Sequence, residues 1–187
     1  MKVFINPGHA PFGKPDPGAC GNGLEEWEVA KNIGARVEGY LNDIGIATRR
    51  IQNDSLGTVV NDANNWGADL FVSIHCNSAS SLARGTETYY YEHSPKGKKF
   101  AELVHKQILD ELYARADCDY WDRGIRTKIA GGYDAYVTKY TDMPAILVET
   151  AFISNPVDAK MLVDYEDNYA RAIARGITDM QLAYGIA

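Results

Sequence analysis

Leu70-Phe71-Val72-Ser73-Ile74-His75 is an almost unbroken apolar run closed by an imidazole, and its reading decides the fold. Two further runs share the habit: Val3-Phe4-Ile5, shortly before His9, and Ala145-Ile146-Leu147-Val148, ending in Glu149. Apolar runs without alternation are read as strands buried on both faces, the mark of a parallel sheet covered by helices. In an open sheet of that kind, ligands bind in the crevice beyond the carboxyl ends of the strands. His9, His75 and Glu149 are therefore expected on one rim.

Outward from these runs, helical periodicity alternates with β-prone segments. The first strand is placed at Lys2 to Ile5, followed by a Gly/Pro-rich loop from Pro7 to Gly23. A helix from about Leu24 to Asp43 carries the inward stripe Ala30, Ile33, Val37, Leu41 and Ile44. Gly45 ends it, and Ile46-Ala47-Thr48-Arg49 enters the second strand. Ser55 or Asn53 caps a second helix that ends near Gly67, with Leu56, Val59, Val60 and Ala63 inward. Thr86 to Tyr91 alternates and is placed nearer an edge. Pro95 opens a third helix, with Phe100, Leu103, Val104, Ile108 and Leu112 buried, and Asn155-Pro156 opens a short one. Tyr169, Ile173, Ile177, Met180 and Tyr184 stripe a terminal helix. Between Asp117 and Met143 no period is clear, apart from a short strand expected at Ala135-Tyr136-Val137-Thr138. Irregular stretches of that length in a compact domain are usually functional or disordered. The expectation is one α/β domain over residues 1–187: a mainly parallel, open, twisted sheet of about six strands with helices on both faces, phosphorylase/hydrolase-like.

Composition narrows the function. A net charge of −6 argues against a nucleic-acid binder, which would show a basic face. No apolar stretch approaches a membrane span. Cys20, Cys76 and Cys118 are odd in number and widely spaced, which is no disulfide framework and fits reducing conditions of synthesis. Met1-Lys2-Val3 leads directly into the first strand, so no signal peptide is expected. A monomer is expected.

A catalytic zinc site commonly takes two His and one carboxylate, with a fourth position open to water. His9 and His75 supply the imidazoles. Of Glu25, Glu26 and Glu28, only Glu26 lies four residues before Ala30 and seven before Ile33, on the inward stripe. At 100° per residue, Glu28 is turned by about 200° from it and Glu25 by about 100° the other way. Each residue has a plainer alternative: a helix-dipole preference for Glu26, a hydrogen-bonded core histidine for His75, a tight Pro-Gly turn for His9. Glu149 follows a mostly apolar strand and is costly to bury unpaired. It is read as the acid/base beside an activated water, with a salt bridge to Arg123 or Arg126 as the alternative.

These residues resemble the zinc-dependent N-acetylmuramoyl-L-alanine amidases, the family typified by bacterial AmiC-like and CwlC-like cell-wall hydrolases. The likeness spans nearly the whole chain. It rests on Pro7-Gly8-His9, Asp16-Pro17-Gly18-Ala19, Gly23-Leu24-Glu25-Glu26, Ala63-Asn64 before Ala68 to Asn77, Gly85-Thr86-Glu87, Asp122-Arg123-Gly124, Pro144 to Glu149 and Phe152-Ile153-Ser154-Asn155-Pro156. The resemblance implies one Zn2+ held by His9, Glu26 and His75, with Glu149 as catalytic acid/base. It also implies peptidoglycan as substrate, cut at the amide between N-acetylmuramic acid and L-alanine. The sequence departs from the family at Ala10-Pro11-Phe12-Gly13, Asn61, Cys76 and Thr150-Ala151, none of which removes a ligand or the acid. A bare catalytic domain without a leader fits a phage endolysin, a mother-cell lysin or an excised domain.

Weaker signals complete the reading. Cys76 should point away from the rim, because neighbouring strand residues face opposite ways. His93 and His105 are expected to be solvated. Tyr120, Trp121, Tyr133, Tyr136 and Tyr140 are candidates to stack on sugars or line a peptide groove. Asn77 and Arg123 are candidate substrate contacts. The rival functions are a non-catalytic wall-binding module on the same scaffold and a zinc peptidase or deacylase on a small soluble amide.

Overall fold

The computed structural model describes residues 1–113 and 121–186. Its elements run β1 (Lys2–Pro7), β2 (Cys20–Gly21), β3 (Leu24–Glu25), α1 (Glu26–Asp43), β4 (Ala47–Arg50), α2 (Leu56–Trp66), β5 (Leu70–Asn77), β6 (Thr86–Tyr90), α3 (Pro95–Tyr113), β7 (Asp122–Arg126), α4 (Tyr136–Tyr140), β8 (Ala145–Phe152), α5 (Pro156–Asp164) and α6 (Glu166–Tyr184). Six strands form one sheet in the order β4-β1-β5-β8-β6-β7. The first four are mutually parallel, and β6 runs antiparallel to β8 while pairing parallel with β7.

Side-chain alternation along the strands divides the core into two layers. Val3, Ile5, Val72, Ile74, Ile146 and Val148 pack with Ile33 and Val37 of α1, Phe100 and Val104 of α3 and Ile173 of α6. Phe4, Phe71, Ala145 and Leu147 face the other way, against Val59, Val60 and Ala63 of α2 and Val137 of α4. Each such fully buried aliphatic or aromatic side chain is worth about 1.5–3 kcal/mol over its exposed state. The helices end where the sequence says they should. Ser55 Oγ accepts from Thr58 N at the start of α2, and Gly67 adopts φ +66 after it. Asn155 Oδ1 accepts from Val157 N and Asp158 N ahead of α5.

The structure corrects several local expectations. The first long helix begins at Glu26 rather than Leu24, because Leu24 and Glu25 pair with Cys20 and Gly21 as a short hairpin. Ala135 to Thr138 is no strand: Ala135 caps the five-residue helix α4, and Thr138 turns both its N–H and its hydroxyl back onto the Ala135 carbonyl. Edge strand β7 escapes the pattern search because Asp122-Arg123-Gly124-Ile125-Arg126 is polar and pairs on one side only. β6 therefore lies one strand in from that edge. Leu56 and Tyr184, placed on inward stripes, are 45% and 41% exposed at the ends of their helices. His105 is buried rather than solvated. It bonds Thr88 Oγ1 at 3.1 Å and Asp122 Oδ1 at 2.8 Å, pinning α3 to β6 and β7. His93 is exposed, as expected.

Candidate metal centre and its cleft

β1 delivers the first imidazole. Beyond Pro7, Gly8 N–H bonds the Ile74 carbonyl at 2.9 Å, carrying the β1–β5 pairing one residue further. His9 then adopts φ +67, a left-handed conformation that a non-glycine residue rarely takes. Its Nδ1 lies 2.7 Å from Asp16 Oδ2, in the loop that returns to α1. Gly8 must be glycine: a Cβ there would sit 2.3 Å from His75 Cε1. Gly18, at φ +72, is equally constrained, since its Cβ would meet His9 Cδ2 at 2.5 Å and Glu26 Oε2 at 2.6 Å.

Glu26 is the first residue of α1 and is buried. Two backbone donors hold its carboxylate: Ala19 N–H on Oε2 at 2.8 Å and Cys76 N–H on Oε1 at 3.0 Å. Oε2 lies 2.9 Å from His9 Nε2, and Oε1 lies 2.9 Å from His75 Nδ1. Burial alone would raise this carboxyl, but hydrogen bonds to His75 and His9 outweigh it and hold the group well below the usual carboxylate range. Burial pulls His9 down, yet the bonds and charges of Glu26 and Asp16 lift it to about 9.

The outer partners decide which nitrogen of each imidazole is free. Ser73 Oγ donates to Asn6 Oδ1 at 2.9 Å, so it can accept from His75 Nε2 at 3.1 Å, leaving Nδ1 as the nitrogen turned toward Glu26. Asp16 takes the proton on His9 Nδ1, leaving Nε2. Both inner nitrogens face the Glu26 carboxylate and hydrogen-bond it where no cation is bound, and one ligand atom from each of the three residues falls within 4.8 Å of the others. Two imidazoles oriented by a carboxylate and a hydroxyl, with one anionic oxygen donor, match the donor set and the outer shell of a catalytic zinc site. The structure thus brings the three expected ligands together.

Glu149 stands next to them. β5, β8 and β6 place His75, Glu149 and Glu87 in one row, as Cα partners across neighbouring strands. Sheet alternation sets all three on the face of Phe71, Leu147 and Tyr89. Both core strands continue past these residues, to Asn77 and Phe152, so the site lies on the sheet's face near its rim and not at the strand ends. Among the described residues, Glu149 Oε2 is enclosed and has no hydrogen-bond partner. Burial pushes its carboxyl up to about 7, with His75 opposing and Glu26 and Glu87 adding to the rise.

Arg123 and Arg126, the alternative partners for Glu149, go to Glu87 instead. Their Nε atoms lie 2.8 Å and 3.0 Å from Glu87 Oε2. Asn77 Nδ2 and Tyr89 Oη donate to Oε1 at 2.5 Å and 2.7 Å. Burial raises Glu87, but Tyr89 and the two guanidinium groups outweigh it and keep the carboxyl below its ordinary range. Glu87 is the residue whose part the sequence reading missed. It occurs in the quoted Gly85-Thr86-Glu87 block, but nothing local shows that four groups converge on it.

The row floors a cleft of about 690 Å³, walled by Asn53, Leu56, Arg126, Lys128, Ile129 and Tyr136 among others. Asn77 and Arg123 line it. Of the candidate aromatics, Tyr136 lines the cleft, Trp121, Tyr133 and Tyr140 are exposed elsewhere, and Tyr120 lies outside the described residues. Cys76 points into the core beneath the sheet, and burial raises its thiol far above the ordinary value, which removes it as a nucleophile. Cys20 is exposed, and Cys118 lies outside the described residues.

Gly8→Ala must displace the His75 ring, so the variant is expected to bind a divalent metal at least about tenfold more weakly while remaining folded. Calorimetric metal titration with circular dichroism checks this, and unchanged affinity would contradict the packing described.

The family described as N-acetylmuramoyl-L-alanine amidase matches residues 3–179. N-acetylmuramoyl-L-alanine amidase LytC of Bacillus subtilis is 42% identical over 184 residues, covering 93% of this chain and 34% of LytC. The sporulation-specific N-acetylmuramoyl-L-alanine amidase of the same organism is 32% identical, over 94% of this chain and 65% of the relative. The chain thus spans about a third of the first and just under two thirds of the second. Among solved structures, N-acetylmuramoyl-L-alanine amidase AmiC2 of Nostoc punctiforme superposes with a TM-score of 0.84 at 34% identity, covering 97% of both chains.

Proposed function

This chain belongs to the N-acetylmuramoyl-L-alanine amidase family, and we propose that it hydrolyses the amide between N-acetylmuramic acid and L-alanine in the peptidoglycan of bacterial cell walls. His9 through Nε2, His75 through Nδ1 and the Glu26 carboxylate would hold Zn2+. Bound there, the ion supplies a Lewis acid that acidifies water and polarises a carbonyl. The observation that carries the reading is the enclosed, unpartnered Glu149 Oε2 placed one strand from His75.

The remaining chemistry belongs to side chains. Glu149 takes a proton from the attacking water and returns it to the departing amine of L-alanine, so the proton is conserved across the cycle. Burial keeps its basicity near neutral pH, where accepting and donating are both feasible. Asp16 and Ser73 hold the imidazoles in the tautomers that leave His9 Nε2 and His75 Nδ1 free. Arg123 and Asn77 support the adjoining wall through Glu87. A pure binding module has no use for a buried, unpaired carboxylate beside a ligand triad, because that acid costs stability and binds nothing.

Mass spectrometry of digested peptidoglycan provides the test. Free stem peptides with an L-alanine amino terminus, and intact glycan lacking peptides, are expected with metal present and absent after chelation. Cleavage inside the peptide, or between sugars, would overturn the assignment.

A further inference from the structure

Arg123 and Arg126 hold Glu87 in an unusual division of labour. Both approach the same atom, Oε2, and both do so through Nε. Arg126 Nε also reaches the Arg123 carbonyl at 3.3 Å, and the Arg123 guanidinium lies 4.8 Å from the centre of the Phe152 ring. Among the described residues, the hydrogen bonds and ion pairs of both side chains run through Nε, leaving the Nη edges without a partner. The side chains are 30% and 45% exposed, and both line the cleft. One buried carboxylate thus anchors two guanidinium groups, while Asp158 also lies within electrostatic reach of Arg123. Lys128, next along the wall, is by contrast already matched by Glu92 and Asp134.

Resting on the amidase reading, we infer that Arg123 and Arg126 form a carboxylate-recognition subsite, whose Nη edges take an anionic group on the second residue of the stem peptide. The spacing favours that residue. Glu87 is the Cα partner of Glu149, about 5 Å away across an antiparallel pair, and the guanidinium groups reach further still. An extended peptide advances about 3.4 Å per residue, so an acid one residue beyond the L-alanine arrives near them. The geometry of a guanidinium edge suits a carboxylate, which can accept two parallel N–H bonds, and not a carboxamide, which offers one acceptor and brings donors. Glu87 holds each fork in place before substrate arrives, so little rotamer freedom is lost on binding. Arg123 and Arg126 are thereby specificity residues for a free acid against its amide.

The test compares two muropeptides that differ only at the second stem residue, a free carboxylate in one and a carboxamide in the other. For the wild-type enzyme kcat/KM is expected to favour the acid by about tenfold or more, mainly through KM, and the ratio should shrink as salt is raised. Arg126→Gln should bring the ratio close to one and Arg126→Lys should restore part of it. Arg175→Gln, on the exposed face of α6, should leave the ratio unchanged. Metal content and thermal midpoint report whether each variant is folded. Calorimetric binding of the tripeptides L-alanyl-γ-D-glutamyl-L-lysine and L-alanyl-D-isoglutaminyl-L-lysine, in which the γ-carboxyl is tied up in the second peptide bond of both, gives a readout that needs no turnover. Equal handling of acid and amide by the wild type, or a preference that survives Arg126→Gln, overturns the subsite. Arg126-dependent preference for the acidic tripeptide, with neither muropeptide cleaved, would retain the subsite and reject the amidase reading.

Discussion

Replacing Glu149 by Gln is expected to lower turnover on peptidoglycan about a thousandfold while leaving metal content unchanged. General acid–base catalysis of this kind contributes about 10²- to 10⁴-fold, and Gln preserves shape but cannot carry the proton. Metal retention is expected because the group that could hold an ion consists of His9, Glu26 and His75 and does not include residue 149. The metal-free protein supplies an independent check. Its folded carboxyl titrates at about 7 against 4.5 for the free group, so the native state binds the extra proton between those values. A raised acid pKa makes stability fall as pH rises through this window, by up to about 3 kcal/mol above it. Glu149→Gln lacks that slope. Urea denaturation of both metal-free proteins at pH 5 and pH 8 should therefore show the variant gaining on the wild type at the higher pH. Near wild-type turnover in the variant would refute the acid/base role, and a parallel pH response would refute the burial account.

Replacing Glu26 by Ala is expected to abolish metal binding and activity together. The variant loses the anionic donor and strands four groups: the backbone N–H of Ala19 and Cys76, and the imidazoles of His9 and His75. Removing one partner of such a buried charged cluster costs about 3–5 kcal/mol. The pH dependence has a definite sign. Glu26 is depressed, so its contribution is present above about 4.5 and is lost as pH falls toward its lower folded value. His9 is raised to about 9, so its contribution is complete below about 6.5 and is lost as pH rises through 9. The stability gap between metal-free wild type and variant should thus be widest between about pH 4.5 and 6.5. A cation must displace the proton His9 holds, so apparent metal affinity should climb with pH until about 9. Elemental analysis and equilibrium denaturation across pH check these outcomes. Stoichiometric metal in the variant would mean that Glu26 is not a ligand.

Much of this was legible because each signal was local. Uninterrupted apolar runs marked the buried strands, and helical phase separated Glu26 from Glu28 without any contact being known, whereas Glu25 is set apart by the hairpin strand it belongs to. Segments whose stability comes from distant partners were misread. Asp122 to Arg126 forms a strand because β6 offers an open edge, and Tyr136 to Tyr140 coils despite β-prone residues. His105 looked solvated because nothing near it in sequence reveals Thr88 or Asp122 as its partners.

The chain by itself determined an α/β sheet, the three candidate ligands and the nearby acid, since these follow from periodicity and from residues that close or follow buried strands. Only the tertiary structure decided that Arg123 and Arg126 serve Glu87 and leave Glu149 unpaired, and which nitrogen each imidazole turns inward. The reason is physical. Periodicity fixes which face of an element a side chain occupies, whereas the choice among several charged partners depends on register between strands far apart in sequence, and on distances of a few tenths of an ångström.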